Sequence, residues 1–242
     1  MTPCDETIDD LRGFDLRIIQ PRDGYRFSLD PLLLCDFAGV KSGDRVIDLG
    51  TGCAIIPLIL ARTVDEARIV GVEHQPVMAG LAVRNVVANG LDSRISVIQA
   101  DVTELRGQFP VSSFDLVVAN PPYRVRGTGR VSPKAGRDLA RHESTAGLGD
   151  FLAAAKYLVR PGGRICFIYH PSRLPELFTE AAALKLAPLR LRTVHGSLGT
   201  EARMVLLELA KGSRGVLTVM PPLQVRDAEG NDGMEMERLL RG

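Results

Sequence analysis

The sequence predicts an α/β fold: a doubly wound, mostly parallel seven-stranded sheet with an antiparallel closing strand. Three observations predict it. Short apolar runs alternate with segments of helical length. The runs are rich in β-branched residues and show little polar alternation, as strands buried on both faces require. Two more strand-like runs follow one another closely late in the chain, near enough to pair antiparallel.

RVIDL (45–49), RIVGVE (68–73), SVIQA (96–100), FDLVVAN (114–120) and RICFIY (164–169) are the expected parallel strands. Between them CAIIPLILART, QPVMAGLAVRNVVANG ending at Gly90, and GLGDFLAAAKYLVRPGG ending at Pro161, Gly162 and Gly163 are the expected helices. PSRLPELFTEAAALKL reads as a further helix, followed by the strands LRLRTVH (189–195) and RMVLLELA (203–210). GVLTVMPPLQVRDAEGND (215–232) reads as a small hairpin turning at Asp-Ala-Glu-Gly-Asn. Asp30-Pro31 is a helix start. The expected organisation is an N-terminal extension (1–40) over the ligand edge, a main domain (41–211) and a C-terminal hairpin extension (212–242) within one globule.

At 242 residues, 45% hydrophobic and 24% charged, the chain is long enough for one large core. Its net charge of +1 leaves any attraction to nucleic acid to local clusters of Lys and Arg. Cys4, Cys35, Cys53 and Cys166 form no CxxC pair, which argues against a disulfide framework or a zinc site and for reduced thiols in the cytoplasm. His74, His142, His170 and His195 show no ligand spacing, so no metal is assigned. The acidic start MTPCDETIDDLRG lacks a signal-peptide layout, and the longest apolar run, AIIPLILA (54–61), is far short of a membrane span. The expectation is a cytoplasmic protein with no membrane partner; its oligomeric state is open.

DLGTGC (48–53) follows the first strand of the sheet and opens a helix. Gly50 and Gly52 allow a tight turn and close approach to a ligand, and Glu73 ends the next strand at about the 20-residue spacing of a ribose-hydroxyl acceptor. Ile55 stands where a dinucleotide fingerprint has its third glycine. Asp48 would repel a pyrophosphate and attract an ammonium group. These motifs resemble class I S-adenosylmethionine-dependent methyltransferases. The resemblance puts Gly50 and Gly52 beside the cofactor and Glu73 on the ribose hydroxyls, and makes the ammonium that Asp48 would attract that of the cofactor's methionine moiety. In QADV (99–102) it puts Asp101 on the adenine amine, with Val102 offering a backbone donor. Taken alone, Asp101 before VTELR reads as a helix cap.

VVANPPY (117–123) closes the fourth strand, at the same sheet edge. Pro121 and Pro122 would end any strand, and Tyr123 alone could be a rim aromatic. Beside a methyl donor they have a specific use. A planar amine is a poor nucleophile because its lone pair is delocalised. Acceptance of its two protons by the Asn120 side-chain oxygen and the Pro121 carbonyl would favour a more tetrahedral nitrogen aimed at the methyl carbon. Tyr123 offers a stacking face worth about 1–3 kcal/mol for a base. The stretch resembles the NPPY motif of amino-methyltransferases acting on adenine, guanine or a glutamine side chain, which implies Asn120, Pro121, Pro122 and Tyr123 as catalytic residues and Asn120 as also touching cofactor.

Next come Arg124, Arg126, Arg130, Lys134, Arg137 and Arg141 against a single acid, Asp138, in a glycine-rich loop that fits phosphate contacts to RNA. GYRFSLDPLLLCDFA (24–38), NPPY with ARHE (140–143), and the tail are similar to methyltransferases that act on the adenine beside the anticodon of valine tRNA. Ser28 and Pro31 depart from that family's usual N-terminal run. The resemblance implies methylation of the exocyclic amine of an adenine in structured RNA, a tRNA anticodon loop, with S-adenosylmethionine as cofactor. Three alternatives stay open: a glutamine-amide methyltransferase of a translation factor, a guanine amino-methyltransferase of ribosomal RNA, and a non-catalytic binding module. The first usually needs a helical domain that about 40 residues cannot supply.

Overall fold

The computed structural model describes residues 6–22, 28–121 and 146–241 of the chain. β1 (Glu6–Leu11) and β2 (Leu16–Pro21) form a separate antiparallel pair, followed by α1 (Asp30–Ala38). The main sheet then alternates as the sequence does: β3 (Arg45–Leu49), α2 (Ile55–Thr63), β4 (Arg68–Glu73), α3 (Pro76–Ala88), β5 (Ile95–Gln99), β6 (Phe114–Ala119), α4 (Leu148–Leu158) and β7 (Val159–Tyr169). α5 (Leu174–Ala183), β8 (Leu186–His195) and β9 (Ala202–Lys211) complete it. The order is β8-β9-β7-β6-β3-β4-β5, with β9 antiparallel to both β7 and β8. This is the expected doubly wound sheet with its antiparallel closing strand.

Alternate residues of each strand enter opposite layers. Val46, Leu116, Val118, Cys166 and Ile168 pack with α1, α2 and α3, whereas Ile47, Leu49, Val117, Ala119, Ile165 and Phe167 pack with α4 and α5. Burial on both faces explains why the strands read as unbroken apolar runs. Each buried Val, Leu, Ile or Phe side chain among them contributes about 1.5–3 kcal/mol.

Departures from the sequence expectation include the α4–β7 junction and the tail. The helix expected to run to Pro161-Gly162-Gly163 stops at Leu158, because Val159 already pairs with Phe114 in β7. Gly162, at φ +74°, then lies inside the strand, where the register with β6 shifts. In the tail, β10 (Thr218–Val219) and β11 (Leu223–Gln224) each pair parallel with β8. The Asp-Ala-Glu-Gly-Asn stretch turns beneath a single antiparallel bridge between Arg226 and Asp232.

α6 (Met234–Arg241), unforeseen from the sequence, buries Met236 and Leu239 and is pinned by Arg192 to Glu235 at 2.6 Å and by Arg238 to Asp36 at 3.0 Å. Its carbonyl end presses on the 3-10 turn Arg12–Phe14: a Cβ at Gly13 would sit 2.1 Å from the Leu240 carbonyl oxygen. β2 is held to α3 by two asparagines one helical turn apart. Asn85 accepts from the Ile19 amide at 2.7 Å and donates to the Ile19 carbonyl at 2.9 Å; Asn89 does the same for Arg17 at 2.8 and 2.8 Å. Side-chain amides thus stand in for a missing neighbouring strand.

Candidate active site

Leu49 pairs with Ala119 on one side and with Val72 on the other. The residues that follow these three, Gly50, Asn120 and Glu73, therefore meet at one level of the carboxyl edge. This is also where strand order reverses, since the chain runs outward from β3 to β5 and returns at β6. Open α/β sheets place their ligand crevice at such a switch point.

The loop after β3 takes left-handed backbone at Gly50 (φ +78°), Gly52 (φ +57°) and Ala54 (φ +67°). Glycine adopts this at little cost, whereas Ala54 stores about 1–2 kcal/mol of strain beside the site. The amides of Gly50 and Thr51 donate to the Val72 carbonyl at 2.9 and 2.8 Å. Glu73, nearly buried, accepts the Gly52 amide on Oε2 and the Gln75 amide on Oε1, both at 2.9 Å. Its carboxylate thus ties the glycine loop to the start of α3, and each oxygen keeps a second lone pair for a ligand hydroxyl.

Asp48 is fully buried, and among the described residues neither of its carboxylate oxygens has a hydrogen-bond partner; nor does the Thr51 hydroxyl. Burial pushes the carboxyl up to about 7; the nearby Thr51 hydroxyl opposes that rise and the Glu73 charge adds to it. Thr51 fits only because position 71 is glycine, where a Cβ would lie 2.9 Å from its Cγ2 and Oγ1. A buried carboxylate without a donor is costly. This donor set, an orphaned acid next to a glycine cradle and a ribose-type acceptor, fits a ligand carrying both an ammonium and a nucleoside.

Asp101 is the helix cap that its sequence allows. Its Oδ1 accepts from the Thr103 amide at 2.9 Å and hydroxyl at 2.7 Å, opening the 3-10 turn Val102–Gly107. The other oxygen lies 3.6 Å from Nδ1 of His74. Val102 is buried with Leu105. Asn120, half-buried, and Pro121, buried, directly follow β6. Pro122, Tyr123 and the basic residues Arg124, Arg126, Arg130, Lys134, Arg137 and Arg141 lie outside the described residues.

Sequence reasoning missed Thr51, Ala54 and His74. Only Thr51 left a signal: the small Gly71 between two bulky β4 residues marks a close approach. Among the described residues no group of three or more His, Cys, Asp or Glu side chains could hold a metal ion, and no helix is long and apolar enough to cross a membrane.

Comparison with known proteins agrees with this geometry. A family model described as a methyltransferase domain matches residues 40–211. A tRNA1(Val) (adenine(37)-N6)-methyltransferase of Porphyromonas gingivalis is 32% identical over 204 residues, covering 82% of this chain and 78% of its own. One from Aeromonas hydrophila is 32% identical over 192 residues, 79% of each chain. A solved structure from Agrobacterium tumefaciens, described as a predicted O-methyltransferase, superposes with a TM-score of 0.73 at 24% identity, covering 88% of this chain and 97% of that one; at this identity it speaks for the fold alone. With the family model spanning most of the sheet and such relatives matched over most of their length, the chain belongs to the methyltransferase family.

Proposed function

We infer that the chain transfers a methyl group from S-adenosylmethionine to the exocyclic N6 amine of an adenine in tRNA. One observation carries the reading: in a methyltransferase whose relatives are named for this activity, Asn120-Pro121 follows β6 directly beside the Gly50–Gly52 loop and Glu73. A tRNA substrate also fits a cytoplasmic enzyme.

The cofactor, when bound, supplies a methyl carbon on a positively charged sulfur. Asp48, which lacks a donor among the described residues, takes the ammonium end in this reading. Glu73 takes the ribose hydroxyls on its remaining lone pairs, and Asp101 with the Val102 backbone takes the adenine. The Asn120 side-chain oxygen and the Pro121 carbonyl accept the two protons of the target amine, which turns the nitrogen lone pair toward the methyl carbon. No base is needed before attack, because the nitrogen becomes acidic only after transfer; positioning supplies most of the barrier reduction. Tyr123 would offer a stacking face, and the basic residues from Arg124 to Arg141 would supply phosphate contacts. An anticodon-loop base is already partly unstacked, which keeps the cost of extruding it to at most a few kcal/mol.

Incubation with methyl-labelled S-adenosylmethionine and total tRNA, followed by nucleoside mass spectrometry, tests the reading. The expected product is N6-methyladenosine. Label on protein or on guanosine sinks it. Asn120→Ala is expected to lower kcat about 100-fold or more while S-adenosylhomocysteine still binds.

A further inference from the structure

The carboxyl edge continues past the cofactor crevice, over β7 and on to β9. Val205 pairs with Tyr169, so Arg203 extends beyond the β7 strand end, beside the 3-10 turn Pro171–Arg173. Arg203 lies two strands over from Asn120 and three residues farther along, roughly 14 Å between backbones.

The loop between β8 and β9 is braced from within. Thr200 donates its amide to the Ser197 carbonyl at 3.3 Å and its hydroxyl to the same oxygen at 2.8 Å, while the Ser197 amide donates to Thr200 Oγ1 at 3.2 Å. His195 Nδ1 meets the Thr200 carbonyl at 2.7 Å. This turn holds Leu198 out with 70% of its surface exposed.

Arg203 is exposed and makes no hydrogen bond or ion pair among the described residues. A Cβ at Gly196 would lie 3.1 Å from both Cζ and Nε of Arg203 and 3.3 Å from Nη2. Such near-equal distances mean that the guanidinium lies flat on the glycine, one face backed by the chain. A planar cation with a rigid backing and an exposed position is a stacking platform for an unpaired base as well as a phosphate contact.

Resting on the tRNA reading above, we propose that Arg203, backed by Gly196 in the turn that also exposes Leu198, is a second RNA contact that receives an unstacked nucleotide near the target adenine. The experiment measures methyl transfer to tRNA and tRNA binding across a salt series, with S-adenosylhomocysteine titration as the check on folding. Arg203→Ala is expected to raise KM for tRNA roughly 10-fold and to flatten the salt dependence by about one unit of slope, with S-adenosylhomocysteine affinity unchanged. Arg203→Lys is expected to keep the slope yet still raise KM, because charge is retained and the plane is lost. Leu198→Ser is expected to weaken tRNA binding with no change in slope. Wild-type KM in both Arg203 variants, or full rescue by lysine, overturns the proposal while leaving the tRNA reading intact. A wild-type protein that labels no RNA overturns both.

Discussion

Glu73 accepts the backbone proton of Gly52 at 2.9 Å across 21 residues of sequence, so the residue proposed to take the ribose hydroxyls also fixes the glycine loop after β3. Glu73→Gln keeps one acceptor oxygen and turns the other into a donor aimed at an amide. Hydrogen bonds to charged groups are worth about 1.5–3 kcal/mol, which predicts S-adenosylhomocysteine binding weaker by roughly 10- to 100-fold. Isothermal titration measures this directly, and unchanged affinity would remove Glu73 from the site.

Asp48 predicts an unusual pH dependence. Its folded-state pKa, about 7, lies above the ordinary 3.8, so between those values the folded chain binds more protons than the unfolded one. Stability from this group is therefore full below pH 4, falls as pH rises toward 7 and is flat above, by at most about 4 kcal/mol. Asp48→Asn should lose that slope, which urea midpoints at pH 5 and pH 8 will report. A bound ammonium needs the ionised carboxylate, so cofactor binding at pH 6.5 should release protons, seen as a buffer-dependent binding enthalpy absent from Asp48→Asn.

Asn85 is fully buried and serves three backbone groups, the amide and carbonyl of Ile19 and the carbonyl of Cys53. Asn85→Leu leaves all of them without that partner and is expected to cost about 2–4 kcal/mol. The urea midpoint should fall with little change in m-value if the hairpin stays docked; a reduced m-value would mean that it has come away.

Two glycines should respond in opposite directions to alanine. Gly13→Ala drives a Cβ into the backbone of α6, at an expected cost of about 1–3 kcal/mol. Gly80, in the middle of α3, has nothing within 4 Å of an added Cβ, so Gly80→Ala should stabilise by about 0.5–1 kcal/mol. Calorimetric melting temperatures decide both.

The fold was legible because strands buried on both faces announce themselves in composition: RVIDL and RIVGVE appear at the bounds they occupy, and FDLVVAN runs one residue past β6. The motif residues were legible because Glu73 ends a strand and Gly50 and Asn120 directly follow one, and parallel strands put such ends on one edge. α6 stayed hidden because Met234–Arg241 is only eight residues long and half charged, with only Met236 and Leu239 buried, so its helical face has meaning only against α1 and Gly13. The pairing of β10 and β11 with β8 was hidden for a related reason: two-residue strands carry no periodicity. Ala54 and Thr51 are small residues whose roles come from backbone angles and from a glycine 20 positions away, which residue type alone does not record.

The reversal of β9 has a consequence for how such an enzyme can diversify. A parallel strand at that position would need a crossover of a dozen or more residues, whereas the antiparallel one returns through a tight exposed turn, residues 196–201. That turn can lengthen, shorten or change its tip with little effect on the buried layers, and it sits across the sheet from Asp48 and Glu73. If that turn contacts RNA as proposed, substrate choice and donor binding fall on separately inheritable parts of one edge.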